Sequence, residues 1–241
     1  MAVPLLRTPR GLEAIAGSSS IARHRHDHAY VAVVVSGSYQ ESGDEGRFEV
    51  VAGDALVHSP FQAHRDHVCA GGATVLNLPC PPELEQARRL EVHDLDALVV
   101  VAERDAREAI MMLASGSWSS DRELADWPDL LALRLRSLES FQLSEWAVSH
   151  GLAPETVSRG FARAYGVTPQ LYRAEARARR AVAAIRAGRG PLAAVALSHG
   201  FSDQAHMTRA VRALTGRTPD QWRRAGEQPT CPVGLAWGSA G

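Results

Sequence analysis

His24, His26 and His28 occupy alternate positions in "RHRHDHAY" (residues 23–30), with Arg25 and Asp27 between them. Imidazole is a common ligand for transition metals, and it is the side chain that titrates nearest neutrality. Alternate residues share one face of a β-strand, so His24 and His26 can point together into an interior. Three kinds of chemistry fit such a pattern: metal coordination in an enzyme, ligand reading in a sensor, or solvated side chains on an outer face. The stretch alone leaves all three open.

The remaining candidates lie in the C-terminal half, in two segments built alike: "LSEWAVSHGLAPETVSRGFARAYGVTP" (143–169) and "LAAVALSHGFSDQAHMTRAVRALTGRTP" (192–219). In each, a short apolar stripe comes first, at i, i+3, i+4 spacing: Leu143, Trp146 and Ala147, then Leu192, Val195 and Ala196. Gly151 and Gly200 follow, where a left-handed residue closes a helix, and Leu152 and Phe201 plug the corner. A second helix starts at Pro154, or at Asp203 after a Ser202 cap, burying Val157 and Phe161, or Met207, Val211 and Leu214. This is a helix-turn-helix plan, whose second helix can enter a major groove. The outward faces carry Glu155, Thr156, Ser158, Arg159 and Arg163, then Gln204, His206, Thr208, Arg209 and Arg212. Arginine can read guanine bidentately, glutamine can read adenine, and hydroxyls serve bases or phosphates. Glu155 could only accept from cytosine. Two copies in register make a solvated arginine face a poor explanation.

The charge distribution agrees. The 241 residues carry a net charge of −1, yet residues 1–129 hold 11 Arg against 20 acids and residues 130–241 hold 15 Arg against 7. An acidic half joined to a basic half implies that only the second meets a polyanion, here double-stranded DNA. Between the modules, "PQLYRAEARARRAVAAIRAG" (169–188) is Ala- and Arg-rich, which favours a stiff helix. Its arginines are expected to touch phosphate or solvent.

The acidic half must position the histidines. Residues 29–78 read as short strands: "AYVAVVV", "GSYQESGDEGRFEVV", "ALVH" and "ATVLNL", punctuated by Gly, Asp and Pro. From about residue 83 the spacing becomes helical through "PELEQARRL" and "LDALVVVAERDAREAIMMLA". Leu95, Leu98, Val99, Ala102 and Ala106 then form a stripe for packing within the chain or for a dimer seam. Residues 115–127 read as a linker. The expected fold is α+β: a strand-rich unit at 1–82, a helical segment and linker at 83–128, an all-α domain with two helix-turn-helix modules at 129–225, and a disordered tail at 226–241. Cys69, Cys80 and Cys231 are too few for a disulfide framework and suit a reducing, cytoplasmic location, although a Cys69–Cys80 redox pair is conceivable. No apolar run is long enough to span a bilayer, and the N-terminus does not read as a signal peptide.

The second module's "GFSDQAHMTRAVRALTGRTPDQWRR" (200–224) and the first module's "LAPETVSRGFARAYGVTPQLYR" (152–173) resemble the AraC/XylS family of transcriptional regulators. Met207 and Val211 stand where that family often has aromatics. The resemblance implies base-facing roles for Glu155, Ser158, Arg159, Gln204, Thr208 and Arg209, and a homodimer. The acidic half, through "HRH…SG…AGDALVHSPFQAH", resembles a cupin barrel, the sensor domain of many such regulators. That resemblance implies an inward-facing set of His24, His26 and His64, with His28, His58, His67 and Tyr30 as alternatives. The glutamate expected soon after the H-x-H pair is missing, and Tyr30 lies near its place. Such a set could hold Zn, Fe, Ni or Cu. The expected protein is a DNA-binding regulator, not an enzyme, whose barrel takes a small-molecule or metal effector. The alternatives are a metal-dependent cupin oxygenase or isomerase fused to a DNA-binding half, and a purely architectural DNA binder.

Overall fold

A computed structural model of the chain describes residues 3–81, 84, 89–115, 117–118, 126–188 and 190–227. The chain divides into two compact units, Met1–Arg173 and Ala174–Gly241.

The first unit begins with strands β1 (Leu5–Leu6), β2 (Gly11–Ile15), β3 (Ser20–His26), β4 (Tyr30–Gly43), β5 (Gly46–Val51), β6 (Asp54–His58), β7 (Ala63–Pro79) and β8 (Arg89–Glu91). Helices α1 (Leu95–Arg104) and α2 (Ala106–Ala114) precede β9 (Ser117–Trp118). The strands form one sheet in the order β1-β3-β7-β4-β6-β8-β9, with β2 also on β7 and β5 on β4. Among the described residues this path does not return on itself, so the sheet is not closed, an arrangement loosely consistent with the cupin-like barrel that the resemblance implies.

The long strands β4 and β7 run antiparallel from Tyr30 opposite Pro79 to Gly43 opposite His64, with irregularities at Val34/Ser36 and Gly37/Tyr39. Alternation on β4 separates two cores. Val31 and Val33 join Leu76, Leu78, Leu98, Ile110 and Leu113 on one side. Tyr30, Ala32 and Val34 join Tyr39, Phe48, Val50, Leu56, Val68 and Val75 on the other.

Four expectations change. Arg89 and Leu90, read as helical, are strand, because the Arg89 guanidinium docks on buried Asp54 (Nε–Oδ1 3.1 Å, Nη2–Oδ2 2.5 Å). The helix read through residues 95–113 breaks at Asp105, whose carboxylate accepts from the amides of Arg107 (2.8 Å) and Glu108 (3.3 Å) and starts α2. Its stripe covers the first core, with Leu98 buried and Leu95, Val99, Ala102 and Ala106 packed against it. Within the expected linker, Ser117 and Trp118 extend the sheet beside β8. Residues 116 and 119–125 and residues 228–241 of the expected tail lie outside the described residues. Gly226 and Glu227 complete a helix. Cys69 and Cys80 form no disulfide.

The first module also belongs to this unit: α3 (Trp127–Arg136), α4 (Leu143–Ser149), α5 (Pro154–Tyr165) and the start of α6 (Pro169–Arg186). Leu131, Leu135, Ala147, Val157, Phe161, Tyr165 and Tyr172 make its core, with Trp127 and Trp146 partly buried against it. Phe161 stacks on Tyr165 with centroids 4.6 Å apart, and Tyr172 meets Phe161 edge-on at 5.3 Å. Helices α3 and α5 approach closely at Gly160, where a Cβ would lie 2.5 Å from Trp127 Cζ2. In the second unit follow α7 (Leu192–Ser198), α8 (Gln204–Thr215) and α9 (Pro219–Glu227). Leu192, Val195, Ala196, Phe201, Met207, Val211 and Leu214 are buried. Met207 and Val211, both fully buried, fill the positions where aromatics were the comparison. Gly151 (φ 67°) and Gly200 (φ 75°) are left-handed, as the two turns require.

Phe161→Ala is expected to cost about 3–5 kcal/mol of stability, the usual penalty for emptying a fully buried aromatic site. Leu197→Ala, at an exposed position of α7, is expected to change it by less than about 0.5 kcal/mol. Urea unfolding of the two variants checks both values.

Candidate functional site

His24 and His26 lie on β3, which ends at His26, and both are buried. Each imidazole is oriented by a carbonyl: His24 Nδ1 is 2.9 Å from the oxygen of Ala22, and His26 Nδ1 is 2.9 Å from that of Arg7. A carbonyl can only accept, so the proton sits on Nδ1 and Nε2 keeps its lone pair. This is how metal-binding or ligand-accepting histidines are set.

His64, from β7, packs against His24 with centroids 4.3 Å apart, and His58, from β6, packs against His64 at 4.4 Å. The Tyr30 hydroxyl lies within hydrogen-bond distance of His64 Nε2, at 3.3 Å. Together these side chains line a cavity of about 250 Å³ whose wall also includes Glu41, Asp66, Tyr39, Asn77, Glu13 and Arg7.

His24, His26, His58, His64 and Tyr30 are therefore brought together as the sequence suggested. His28 is not: it falls beyond the end of β3, exposed, beside Asp27 (2.8 Å). His67 is also exposed, at 2.9 Å from Ser20 Oγ. Tyr30 occupies the place of the expected glutamate, but burial pushes its phenol well above its ordinary pKa, with Glu41 and Asp66 adding to the shift. It stays a neutral phenol, hydrogen-bonded to His64.

The carboxylate arrives from farther along β4. Glu41 Oε2 lies 3.5 Å from His58 Nε2, and Asp66 Oδ2 lies 3.9 Å from His64 Nε2. Neither acid was singled out from the sequence. The signal was there in the alternation Tyr39–Glu41 and His64–Asp66, but the irregularities in β4 hide which face the first pair takes.

Two sets of donors are close enough to share an ion: His24, His26 and His64, and Glu41, His58 and His64. Within each, the ligand atoms lie within 4.8 Å of one another. His64 Nδ1 and Asp66 Oδ1 are buried without a hydrogen-bond partner among the described residues. Buried polar atoms of this kind are rare in folded proteins and call for a partner such as a water or an ion. Imidazole and carboxylate donors fit Zn, Fe, Ni or Cu.

Burial pushes the His58 imidazole down to about 3, with His26 and His24 adding to the shift, and it drives His64 well down, reinforced by His58. His24 and His26 are lowered by the same cause. Burial raises Asp66 to about 7 and, together with Asp66, holds Glu41 well above the carboxylate range.

The tip of the β4–β5 hairpin joins this pocket to the first module. Arg23, next to His24, forms an ion pair with Asp44 (2.6 Å), and the Asp44 side chain has no exposure. Asp44 Oδ2 also accepts from the amide of Ala63, next to His64, at 2.6 Å. Arg23 Nη1 reaches the carbonyls of Ala63 (3.3 Å) and Tyr165 (3.5 Å), the latter at the end of α5. Tyr172 OH and Arg136 Nη1 donate to the Asp44 carbonyl at 2.9 and 3.1 Å. Arg47 grips Asp129 through two bonds (2.9 and 2.7 Å), and Asp129 in turn accepts from Tyr165 OH at 2.6 Å. Gly43 allows the hairpin to lie on the pocket, since a Cβ there would meet His64 Cβ at 2.9 Å.

On α5, Glu155, Thr156, Ser158, Arg159 and Arg163 are exposed, while Val157 and Phe161 turn inward. On α8, Gln204, Arg209 and Arg212 are exposed and Thr208 half-buried. His206 is drawn back on its own turn: its Nδ1 is 3.1 Å from Ser202 Oγ and its ring meets Phe201 edge-on. The cap of α8 is Asp203, whose carboxylate accepts from the amide of His206 at 2.7 Å, instead of Ser202. Two arginines of α6 serve the fold: Arg177 donates to the Gly200 carbonyl (2.6 Å), and Arg173 to those of Phe141 (3.3 Å) and Glu139 (3.2 Å). No described helix is long and apolar enough to cross a membrane.

Residues 146–225 match the helix-turn-helix domain family. Over 86 residues the chain is 30% identical to the virulence regulon transcriptional activator VirF of Yersinia enterocolitica, covering 36% of this chain and 32% of VirF. The thermoregulatory protein LcrF of Yersinia pestis matches to the same extent. The chain thus spans about a third of the length of these curated relatives. Among solved structures, an AraC-type regulator from Chromobacterium violaceum is 23% identical with a TM-score of 0.38, covering 41% of this chain and 90% of that one. ToxT from Vibrio cholerae, bound to an unsaturated fatty acid, is 10% identical with a TM-score of 0.41, covering 88% and 93%. Scores this low leave the architecture of the sheet to be judged on its own strand pairing.

The buried groups set a pH dependence for the metal-free protein. Unfolded imidazoles take up protons near 6.5, whereas the folded ones resist, His58 down to about 3. Between those limits the unfolded chain binds more protons, so this contribution is lost as pH falls. Glu41 and Asp66 act oppositely, since the folded chain keeps protons that unfolded carboxyls release near 4, up to about 7 for Asp66. Below about pH 6 four lowered imidazoles oppose two raised carboxyls, and the imidazoles, His58 foremost, are expected to set the sign. Stability is therefore expected to be flat near pH 7 and to fall toward pH 5, with a shallower fall in His58→Gln. Urea melts at pH 7, 6 and 5 check this, and a gain on acidification would refute it.

Proposed function

We propose that the chain is a sequence-specific DNA-binding transcriptional regulator of the AraC type, with residues 146–225 as its helix-turn-helix domain, and that its histidine pocket takes a small-molecule or divalent-metal effector. The match over both modules carries this reading. It is supported by the exposed base-reading groups on α5 and α8, each backed by a buried apolar side, and by the basic charge of the half that holds them. Phosphate contacts by the arginines would supply affinity, and Arg159, Gln204 and Arg209 would supply base discrimination.

Effector control requires that the ligand favour one conformation over another. His24, His26 and His64 offer the ligand-facing donors. Arg23 and Ala63, each one residue from such a histidine, meet at Asp44, and Arg23 reaches the last carbonyl of α5. A shift of β3 or β7 around a bound effector would thus reach the end of a recognition helix through buried, charged contacts. The regulator would act as a homodimer in the cytoplasm.

A second reading, a metal-dependent oxygenase or isomerase fused to a DNA-binding half, draws on one observation: Glu41 supplies the carboxylate that such centres use. Turnover of a substrate that disappears in His26→Ala would favour it. Effector-dependent operator binding without turnover favours the regulator.

Arg209→Ala is expected to cost about 1–3 kcal/mol of operator affinity and to relax preference at one base pair. Fluorescence anisotropy on a site selected from random DNA measures this, and equal weakening on unselected DNA would reduce Arg209 to a phosphate contact. Asp44→Asn leaves the Arg23 charge buried without its counter-ion and is expected to cost about 3–5 kcal/mol of stability, read by urea unfolding. It should also blunt the effector's influence on operator affinity.

A further inference from the structure

We propose that Glu41, His58 and His64 form a divalent transition-metal position of their own, beside the His24–His26–His64 set and sharing His64 with it. It rests on the effector reading only for what the ion would influence, not for where it binds.

Three observations converge. The three side chains come from adjacent, paired strands β4, β6 and β7, all are buried, and their donor atoms lie within 4.8 Å of one another. Bonds of about 2.0–2.2 Å to Zn would draw such donors closer by roughly an ångström, within reach of side-chain rotation. Charge is the second observation. A dication in a site this dry needs a counter-charge. The Glu41 carboxylate lies 3.5 Å from His58 Nε2 and Asp66 lies next to His64, whereas the His24–His26–His64 set contains no acid. Third, His64 Nδ1 and Asp66 Oδ1 are buried without partners among the described residues, as expected where an ion and its surrounding ligands belong. A small void bounded by Glu41, His58 and His64 adjoins the main cavity there. Two imidazoles and one carboxylate with an open position form a donor set of Zn or non-haem Fe centres, and two nitrogens argue against Mg or Ca. With the ion held by Glu41 and His58, the Nε2 lone pairs of His24 and His26 remain available to a second ligand in the same cavity.

Co²⁺ titration of the chelator-treated full-length chain tests the assignment, with affinity read from the visible absorption of the bound ion. Glu41→Gln and His58→Ala are expected to weaken binding by more than the roughly 10–100-fold that loss of an outer hydrogen-bond partner gives, while His26→Ala leaves it unchanged. Three outcomes would overturn the proposal: no Co²⁺ bound by the folded wild-type chain, loss in His26→Ala with retention in Glu41→Gln, or equal loss in both. Thermal unfolding of each variant reports its fold, and the near-isosteric Glu41→Gln decides the matter if His58→Ala does not fold. Operator affinity of the same proteins is measured separately. Failure of wild-type DNA binding would sink the regulator reading and leave the metal result standing.

Discussion

The buried Arg23–Asp44 ion pair is the contact on which the rest of the first unit depends. A charge pair this dry survives only when its remaining donors and acceptors are also met. The Ala63 amide and the carbonyls of Ala63 and Tyr165 bond the pair's charged groups at 2.6–3.5 Å, and Tyr172 and Arg136 hold the backbone carbonyl of Asp44. Those partners come from β7, α5, α6 and α3, so Arg23 together with the side chain and backbone carbonyl of Asp44 ties the sheet, the hairpin tip and the helical module to one another. The pair is flanked in sequence by His24 and, through Ala63, by His64. Structure and pocket chemistry are thereby tied to the same few atoms.

Much of the helical half was legible in the sequence because its rules are local. The i, i+3, i+4 stripes, the glycines after each first helix and the buried Val157, Phe161, Met207 and Val211 all follow from helix periodicity and turn geometry. The cap of α8 was misplaced by one residue, since Ser202 and Asp203 are both good caps and only the observed backbone chooses between them. Arg173 and Arg177 were read as solvent or phosphate contacts. Their carbonyl partners are 23 to 34 residues away in sequence, which no periodicity reveals.

The sheet was harder to read for the same reason. His24, His26 and His64 could be found because strand alternation and a motif mark them. Glu41 could not, because two irregularities in β4 shift which residues face the pocket. Strand β8 looked helical because the spacing of "PELEQARRL" is helical, whereas Arg89–Glu91 pair with β6 and Arg89 is held by buried Asp54. Both misses arise where a distant partner, not the neighbouring residues, decides which way a side chain turns.

The division of the chain at Arg173 has its own consequence. Helix α5 shares a compact unit with the histidines, and α8 does not. On the regulator reading the two reading heads would be unequal: the one that shares a unit with the pocket would be open to adjustment by an effector, and the other would be constant. An operator suited to such a protein would contain a half whose recognition varies with cellular conditions beside a half that serves as a permanent anchor. Promoters would then differ in their response according to how good the variable half is, and the anchor alone would set where the protein waits.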